Sequence, residues 1–412
     1  MKSVAKKIIT KSFILFILIL LGLVIRFLLS PLPGFKIDVD DWFAWAVRLS
    51  NFDFAHFYSK DVFTDYTPGY LYILSVLGFL KNVLMLENNF FYIILKLPAI
   101  LSDLIIGIFV YQEIKKIVSS KIALFAMFLI IFNPVAIFNS SIWGQIDSVL
   151  SLLMLLTVIA LRKNNLIASS AFFGLALLVK PQALALIPLL TLFLIKHFNL
   201  ANLFKLAVPG SLVIFVLTFP FFPNQTLINL AQHIAKTAGE YPYISLNAYN
   251  FWGGVGFWIS DQTIWNSLSF QQWGYILFAI YWLIIIYFYF SKKISIYALA
   301  TLATLGFFFL PTKVHERYLY PAIIFLILLI SQYKSKTLLI LTSALSLLHL
   351  FNLYYVYVYY NEVYFKLPKL LFNPIFYNFL AEQARSLSLI STIIFILISI
   401  TVISYELSQK KD

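Results

Sequence analysis

Apolar residues run along this chain in long blocks, broken by short polar interruptions. Many blocks reach the length of about 20 residues that a helix needs to cross the hydrocarbon core, and the period-two alternation of a closed barrel is absent. The pattern predicts twelve spans, near 8–30, 91–112, 121–140, 146–162, 165–179, 182–196, 204–222, 272–290, 294–311, 317–332, 336–358 and 388–405. One further apolar segment, Pro68 to Leu86, opens on Pro68-Gly69 and is interrupted by Gly78, Lys81 and Asn82. It reads as an interfacial or re-entrant helix on the outer face. The expected fold is all-α and polytopic: one transmembrane domain over residues 1–412, with outer loops at 31–90, 223–271 and 359–387. No soluble domain, linker or repeat is visible.

Composition agrees with this pattern. The 412 residues are 61% hydrophobic and 11% charged, with a mean hydropathy of +0.90. A soluble domain of this size carries more polar surface. The net charge of +13 does not point to nucleic acid, because the basic residues cluster between apolar runs, as cytoplasmic loops do. The absence of Cys excludes disulfides, thiolate catalysis and Cys-ligated metal. The first apolar stretch, Ile8 to Ser30, is too long for a signal-peptide core and lacks a small-residue cleavage site, so it is expected to stay as an anchor.

The basic clusters also orient the chain. Lys2, Lys6, Lys7 and Lys11 place the N-terminus in the cytoplasm. Lys115/Lys116/Lys121, Arg162/Lys163, Lys196 to Lys205, Lys292/Lys293, Lys334/Lys336 and Lys410/Lys411 join them there only if residues 68–86 do not cross. On that scheme five polar groups share the outer face: Asp38-Val39-Asp40-Asp41, Asp65-Tyr66-Thr67-Pro68, Trp143-Gly144-Gln145-Ile146-Asp147, Lys180-Pro181-Gln182 and Lys313-Val314-His315-Glu316-Arg317. A charge at a membrane boundary is ordinary by itself. Five such groups on one face suggest a polar site.

The residue types point to chemistry. Asp38, Asp40 and Asp41 sit beside Trp42, Phe43 and Trp45, an interfacial setting more than a hydrophilic loop. Asp38 and Asp40 share a face if the chain there is extended. A carboxylate among them could serve as a base or, with its neighbours, hold a divalent cation. Lys313, His315 and Arg317 place positive charge on the outer side, against the insertion bias, and suit phosphate oxygens. Lys180, before Pro181 and Gln182 at a helix break, is another outward cation. Gln145 and Asp147 open the fourth span beside Trp143. The loop Tyr241 to Trp252 mixes aromatics with Asn247 and Asn250, a composition that suits a sugar ring and equally an aromatic belt. Arg26 reads as a snorkelling side chain. His56, His197, His233 and His349 are scattered and read as structural. Among known motifs, no Gly-rich phosphate loop, Ser-His-Asp arrangement or His-rich metal spacing occurs.

These motifs, in this order, resemble the GT-C superfamily of membrane glycosyltransferases. The resemblance is strongest to bacterial proteins related to the second GPI mannosyltransferase, and more distant to dolichyl-phosphate-glucose glucosyltransferases. Asp38, with Trp45 seven residues later, is similar to the family's acidic first-loop motif. Asp65-Tyr66-Thr67-Pro68-Gly69-Tyr70 is similar to its Asp-Tyr-Pro-Pro-Gly-Tyr stretch, with Thr67 replacing the first Pro. The Trp143 to Asp147 and Lys180 to Gln182 groups, Asn247 to Trp252, and His315 to Pro321 are similar to later motifs. The resemblance implies a GT-C-like fold and inverting transfer of a hexose, mannose ahead of glucose. The donor would be a polyprenyl-phosphate sugar, and the acceptor a glycan, lipid or protein on the extracytoplasmic face. It implies Asp38 as the general base, with Asp40 as second choice and Asp41 leaving the register open. Lys180, His315 and Arg317 would hold the donor phosphate. Asp65, Tyr66, Gln145, Asp147, Gln182, Asn247, Asn250 and Trp252 would contact sugar or acceptor. No cofactor is implied beyond a divalent cation at Asp38, Asp40 and Asp41. A transporter or flippase of lipid-linked sugars is the alternative, but it would place its charges at mid-span.

The orientation is testable because the chain has no native Cys. Single cysteines placed near Asp38, Lys180 and Arg317 should react with an impermeant thiol reagent added outside whole cells. One placed near Lys115 should react only after permeabilisation, and outside labelling there would overturn the scheme.

Overall fold

A computed structural model describes residues 2–292 and 294–408. Lys293, Lys410 and Lys411 of the basic clusters lie outside the described residues, as do the side chains of Lys2, Lys6, Lys7, Lys11 and Lys292. A helix occupies each of the twelve predicted runs. The first is α1 (Lys2–Leu29), followed by the short amphipathic α2 (Lys36–Arg48) and by α3 (Pro68–Val83). Then come α4 (Asn88–Ile117), α5 (Ser120–Ile131), α6 (Pro134–Ile137), which continues into a π-turn at Phe138–Trp143, and α7 (Asp147–Arg162). Helix α8 (Leu166–Val179) leads through a 3-10 turn at Pro181–Leu186 into α9 (Ile187–Lys196) and α10 (Leu200–Thr218). The long loop that follows carries α11 (Thr226–Gly239) and α12 (Phe251–Val255). The bundle closes with α13 (Phe270–Lys292), α14 (Ile296–Phe309), α15 (Tyr320–Tyr333), α16 (Lys336–Val358) and α17 (Pro374–Ser408).

Among the described residues, five helices suffice by length and hydropathy to cross a membrane, or six if α5 and the bent continuation Pro134–Trp143 count as one span. This count does not confirm the twelve crossings expected from sequence: the apolar part of α1 is Phe13–Leu29, and α7, α8, α9, α14 and α15 each have 16 residues or fewer. Helix α3, the expected interfacial segment, holds 16 residues, or about 24 Å of helix, short of the roughly 30 Å hydrocarbon core. It packs along α2 so closely that a Cβ on Gly78 would lie 1.9 Å from the Ala46 carbonyl oxygen, so only glycine fits there.

Polar caps set the helix boundaries. Beside the basic clusters the connections are tight, and each following helix opens on a side chain that accepts an orphan amide. Ser119 does this for α5, Asn165 for α8, Asn199 for α10, Ser295 for α14 and Ser335 for α16. At the opposite ends the helices are broken, and the connections are long. Four two-residue strands lie there: β1 (Ser245–Leu246), β2 (Ile264–Trp265), β3 (Leu268–Ser269) and β4 (Val314–His315). Strand β1 pairs in parallel with β4, placing Leu246 opposite His315, and β2 pairs antiparallel with β3.

Nearly all of α15 is buried, whereas α10 and α13 show apolar side chains outward, as lipid-facing helices do. Inside the bundle Arg26 is fully buried and pairs with Asp103 at 3.1 Å. This corrects the snorkelling expectation: the guanidinium turns inward, donating also to the Ile131 carbonyl of α5 at 2.9 Å. Asp103 in turn accepts from Ser148 of α7 at 2.6 Å and from Tyr320 of α15 at 2.5 Å. One carboxylate thus ties α1, α4, α7 and α15, with α5 held through the Arg26 guanidinium.

Removing one partner of a buried pair leaves an uncompensated charge, at a cost of about 3–5 kcal/mol. Arg26→Met and Asp103→Leu should each lower the thermal midpoint of the purified protein strongly, and the double variant should recover much of the loss. Additive losses in a double-mutant cycle would refute the coupling.

Candidate active site

The site is built where the broken helix ends meet. Residues 36–48 are helical, not extended, so Asp38 and Asp41 share a face while Asp40 lies about 200° round from Asp38. This corrects the expectation that Asp38 and Asp40 face one site. Asp40 accepts from Lys36 at 2.5 Å and from Tyr92 at 2.9 Å, and lines a separate cavity beside Asn89 and Lys96. Consequently Asp38, Asp40 and Asp41 do not converge on one cation position. Among the described residues no group of three or more His, Asp and Glu side chains is arranged to hold a metal ion.

Asp38 is held by two donors on one oxygen. Trp143 Nε1 reaches Oδ2 at 2.8 Å and Gln145 Nε2 reaches it at 2.7 Å. Both donors come from the end of the π-turn, where Gly144 adopts φ +87°, a left-handed conformation that only glycine takes without strain. The π-turn's carbonyl ends are satisfied by Lys96, whose buried ammonium donates to the oxygens of Ser141 (3.0 Å) and Ile142 (3.2 Å), and to those of Ser30 and Leu32. Sequence reasoning missed this lysine, which with Asp103 is one of two charges inside the apolar run 91–112.

Gln145 also connects Asp38 to the cations. Its Oε1 accepts from Lys180 Nζ at 3.0 Å and from Tyr66 O–H at 3.2 Å. Lys180 pairs with Asp147 at 2.7 Å and lies over the Tyr66 ring at 5.7 Å. Five of the residues singled out from sequence, Asp38, Tyr66, Gln145, Asp147 and Lys180, therefore form one continuous polar chain.

Two adjoining cavities share the wall Asp65, Tyr66, Tyr241, Leu246, His315 and Arg317. The first adds Asp38, Asp41 and Glu316. The second adds Lys180 and Gln182, with apolar walls from Leu184, Ile234, Phe307 and Pro311. Arg317 Nη1 donates to Glu316 at 3.1 Å, while its buried Nε has no protein partner. Gln182 donates to the Tyr318 carbonyl at 3.0 Å and leaves its buried Oε1 free. Such unpartnered buried atoms are costly unless something else meets them.

Asn247, at φ +62°, lines the first cavity and accepts from Trp258 Nε1 at 3.0 Å. Asn250 and Trp252 are placed differently from the sequence expectation. Asn250 caps α12 and donates to the Phe308 carbonyl at 3.0 Å, and Trp252 donates to the Leu310 carbonyl at 2.7 Å. Both are buried and anchor the loop to the end of α14. Lys313 turns to Asp261 at 3.8 Å. His233 contacts the Tyr66 carbonyl at 3.0 Å, a structural tie.

Electrostatics divide the site. Burial, with Asp38, Asp65 and Asp40 nearby, pushes Asp41 up to about 7. Burial and Asp38 also raise Asp65, and burial raises Glu316 against the opposing pull of Arg317. Burial lowers Lys180, with Asp147 opposing it. Burial, Arg317 and Lys180 push His315 well below its ordinary value, so its ring is neutral at neutral pH and offers one N–H. Glu316, Tyr241 and Trp258 line the first cavity without having been given a role from sequence, and Asp41, which the sequence offered as an alternative base or cation ligand, lines it with them. For Asp41 the signal was available, since a helical i,i+3 spacing from Asp38 places it there.

Residues 76–223 match the family model for dolichyl-phosphate-mannose-protein mannosyltransferase. No curated protein matches the chain. The matched stretch begins within α3, ends just beyond α10 and carries Gln145, Asp147, Lys180 and Gln182; Asp38 and Arg317 lie outside it. The class indicated is a membrane glycosyltransferase that draws on a lipid-linked sugar. Together with the apolar helices, the match supports an integral membrane protein.

The raised Asp41 carboxyl gives a stability prediction with a definite sign. Its folded form holds a proton up to about pH 7, while an unfolded Asp releases it near 3.8. The native state therefore binds more protons within that window, and stability falls as pH rises through it. Asp41→Asn removes this contribution. The thermal midpoint of the wild type, relative to Asp41→Asn, should decline from pH 4 to pH 7; parallel curves would contradict the assignment.

Proposed function

We propose that the chain is an inverting hexosyltransferase of the extracytoplasmic face, taking mannose in preference to glucose from a polyprenyl-phosphate donor. The GT-C resemblance, narrowed to bacterial relatives of the second GPI mannosyltransferase, supplies the donor class and the preference for mannose. The observation that carries the proposal is the shared wall of the two cavities. It brings a carboxylate held on one oxygen, Asp38, to face a buried arginine with a free Nε, Arg317, beside an apolar-walled chamber that reaches Lys180.

The chemistry follows from these positions. The acceptor hydroxyl gives its proton to Asp38 as its oxygen attacks the anomeric carbon, and the bond from that carbon to the phosphate oxygen breaks. Negative charge grows on the departing lipid phosphate, where Arg317 and Lys180 stabilise it and neutral His315 donates an N–H. No general acid is required, because the phosphate leaves as a stable anion. Trp143 and Gln145 fix the base so that little reorganisation accompanies transfer. Asp65 and Tyr66, between the two chambers, contact the sugar. A transporter is disfavoured because the charged pair inside the bundle, Arg26 and Asp103, is mutually satisfied and lines neither cavity.

The test is single-turnover transfer from a short-chain polyprenyl-phosphate mannose by purified protein. Asp38→Asn should slow turnover by about 10²- to 10⁴-fold with donor affinity retained, and Asp40→Asn should stay near wild type. Arg317→Ala should lose a charge-assisted phosphate contact of about 1.5–3 kcal/mol, roughly 10- to 100-fold in donor KM. Unchanged rates in Asp38→Asn, or unchanged donor KM in Arg317→Ala, would overturn the corresponding role.

A further inference from the structure

A third recess opens from the Asp38 cavity on the side away from Lys180. It shares Asn247, Trp258 and Tyr360 with that cavity, and is completed by Tyr249, Phe257, Tyr355 and Tyr359 over Ala381 and Ala384 of α17. The chain builds it deliberately. Tyr355 and Tyr359 stand one helical turn apart, with ring centroids 6.4 Å apart and nearly parallel planes, and Tyr377 stacks on Tyr355 at 5.5 Å. At Tyr359–Tyr364 the helix widens into a π-turn, which carries Tyr360 round to the Asp38 cavity. Small side chains at Ala381 and Ala384, one turn apart on α17, leave the space that the tyrosines enclose.

Two polar features show what such a recess would recognise. Tyr249 is 2% exposed, and its hydroxyl is buried without a hydrogen-bond partner, an arrangement that wants a donor or acceptor from elsewhere. At the junction with the Asp38 cavity, the Asn247 amide is fixed by Trp258 Nε1 at 3.0 Å. The recess contains no charged side chain. Flat aromatic faces interleaved with neutral hydroxyl and amide groups match a molecule with apolar C–H faces and a rim of hydroxyls. A phosphate or an acidic peptide would find no cation here, and a lipid tail would strand the Tyr249 hydroxyl.

We infer that the Tyr249–Trp258–Tyr359 recess is the acceptor subsite, and that the acceptor is a saccharide whose terminal ring reaches Asp38 through the Asn247 junction. This rests on the proposed transferase reading for the direction of entry. In it, donor and acceptor approach from opposite sides: the donor through the chamber lined by Lys180, the acceptor across the tyrosines. The sugar-recognition chemistry of the recess stands independently of that reading.

The test separates the two. Protein in phospholipid nanodiscs, free of glycoside detergent, is probed by saturation-transfer NMR with mannotriose, maltotriose, chitotriose and a Ser/Thr-rich peptide. At least one oligosaccharide should receive saturation. The signal should fall at least fivefold in Tyr359→Ala and in Ala381→Trp, which fills the recess from an exposed position, and persist in Arg317→Ala. Circular dichroism and thermal midpoints confirm that the variants fold. In transfer assays with the bound oligosaccharide as acceptor, the same two variants should raise acceptor KM about tenfold or more and leave donor KM unchanged. Absence of binding by all three oligosaccharides, binding of the peptide alone, or binding insensitive to both recess variants would overturn the inference. Oligosaccharide binding with no transfer by wild type would refute the transferase reading and the acceptor role, yet leave a sugar site.

Discussion

A single buried carboxylate, Asp103, sets the relative positions of the helices on which the site stands. A carboxylate buried in apolar surroundings needs hydrogen-bonding partners, and Asp103 has three: Arg26 from α1, Ser148 from α7 and Tyr320 from α15. Two of these are close in sequence to site residues. Ser148 follows Asp147, the partner of Lys180, and Tyr320 lies three residues beyond Arg317. A hydrogen bond at 2.5 or 2.6 Å permits little sliding of either helix along the bundle axis. The electrostatic need of one buried charge thereby fixes the height at which both cationic groups emerge.

The second constraint is the backbone itself. Helices that end inside a packed bundle leave carbonyls and amides with no water to meet them. Here the breaks are where the candidate site residues gather: the π-turn at Phe138–Trp143, the 3-10 turn at Pro181–Leu186, and the 3-10 turn at Glu316–Leu319. Lys96 settles the carbonyls of the first break, and Gln182 settles the Tyr318 carbonyl of the third. Gln145 then uses both ends of its amide, donating to Asp38 and accepting from Lys180. Gln145 thereby couples the Asp38 carboxylate to the Lys180–Asp147 pair without bringing Asp38 and Lys180 into direct contact.

The sequence made parts of this arrangement legible and hid others for physical reasons. Apolar runs located the helices, because run length is a local property. The number of membrane crossings is not local. A helix such as α15 is apolar through burial against its neighbours, which composition cannot distinguish from contact with lipid. The ordered motifs identified Asp38, Tyr66, Gln145, Asp147 and Lys180, which the fold brings together. They misplaced Asn250 and Trp252, since an aromatic and an amide that anchor a loop look in sequence like those that bind a sugar. Asp40 was misread because two-residue spacing shares a face only in extended chain, and this segment is helical. Arg26 and Lys96 were hidden because their partners, Asp103 and the Ser141 and Ile142 carbonyls, lie on helices distant in sequence.

The distribution of charge around the two adjoining cavities explains why a donor phosphate has one resting place in the proposed reaction. Asp38, Asp41, Asp65 and Glu316 crowd the first cavity, and four full negative charges there would repel a phosphate and destabilise the fold. Burial answers this by raising Asp41, Asp65 and Glu316, and Arg317 offsets Glu316. The cations sit on the far side, Lys180 within the second cavity and Arg317 on the shared wall. A phosphate is therefore drawn toward the apolar-walled chamber and away from the base. In the proposed reaction its sugar, extending from the phosphate, would be the part that enters the acidic cavity. With Trp143 and Gln145 both on Oδ2 of Asp38, the opposite oxygen is left to take a proton. The polarity of the site follows from where the fold can tolerate charge, and the order of lipid, phosphate, sugar and base follows from that polarity.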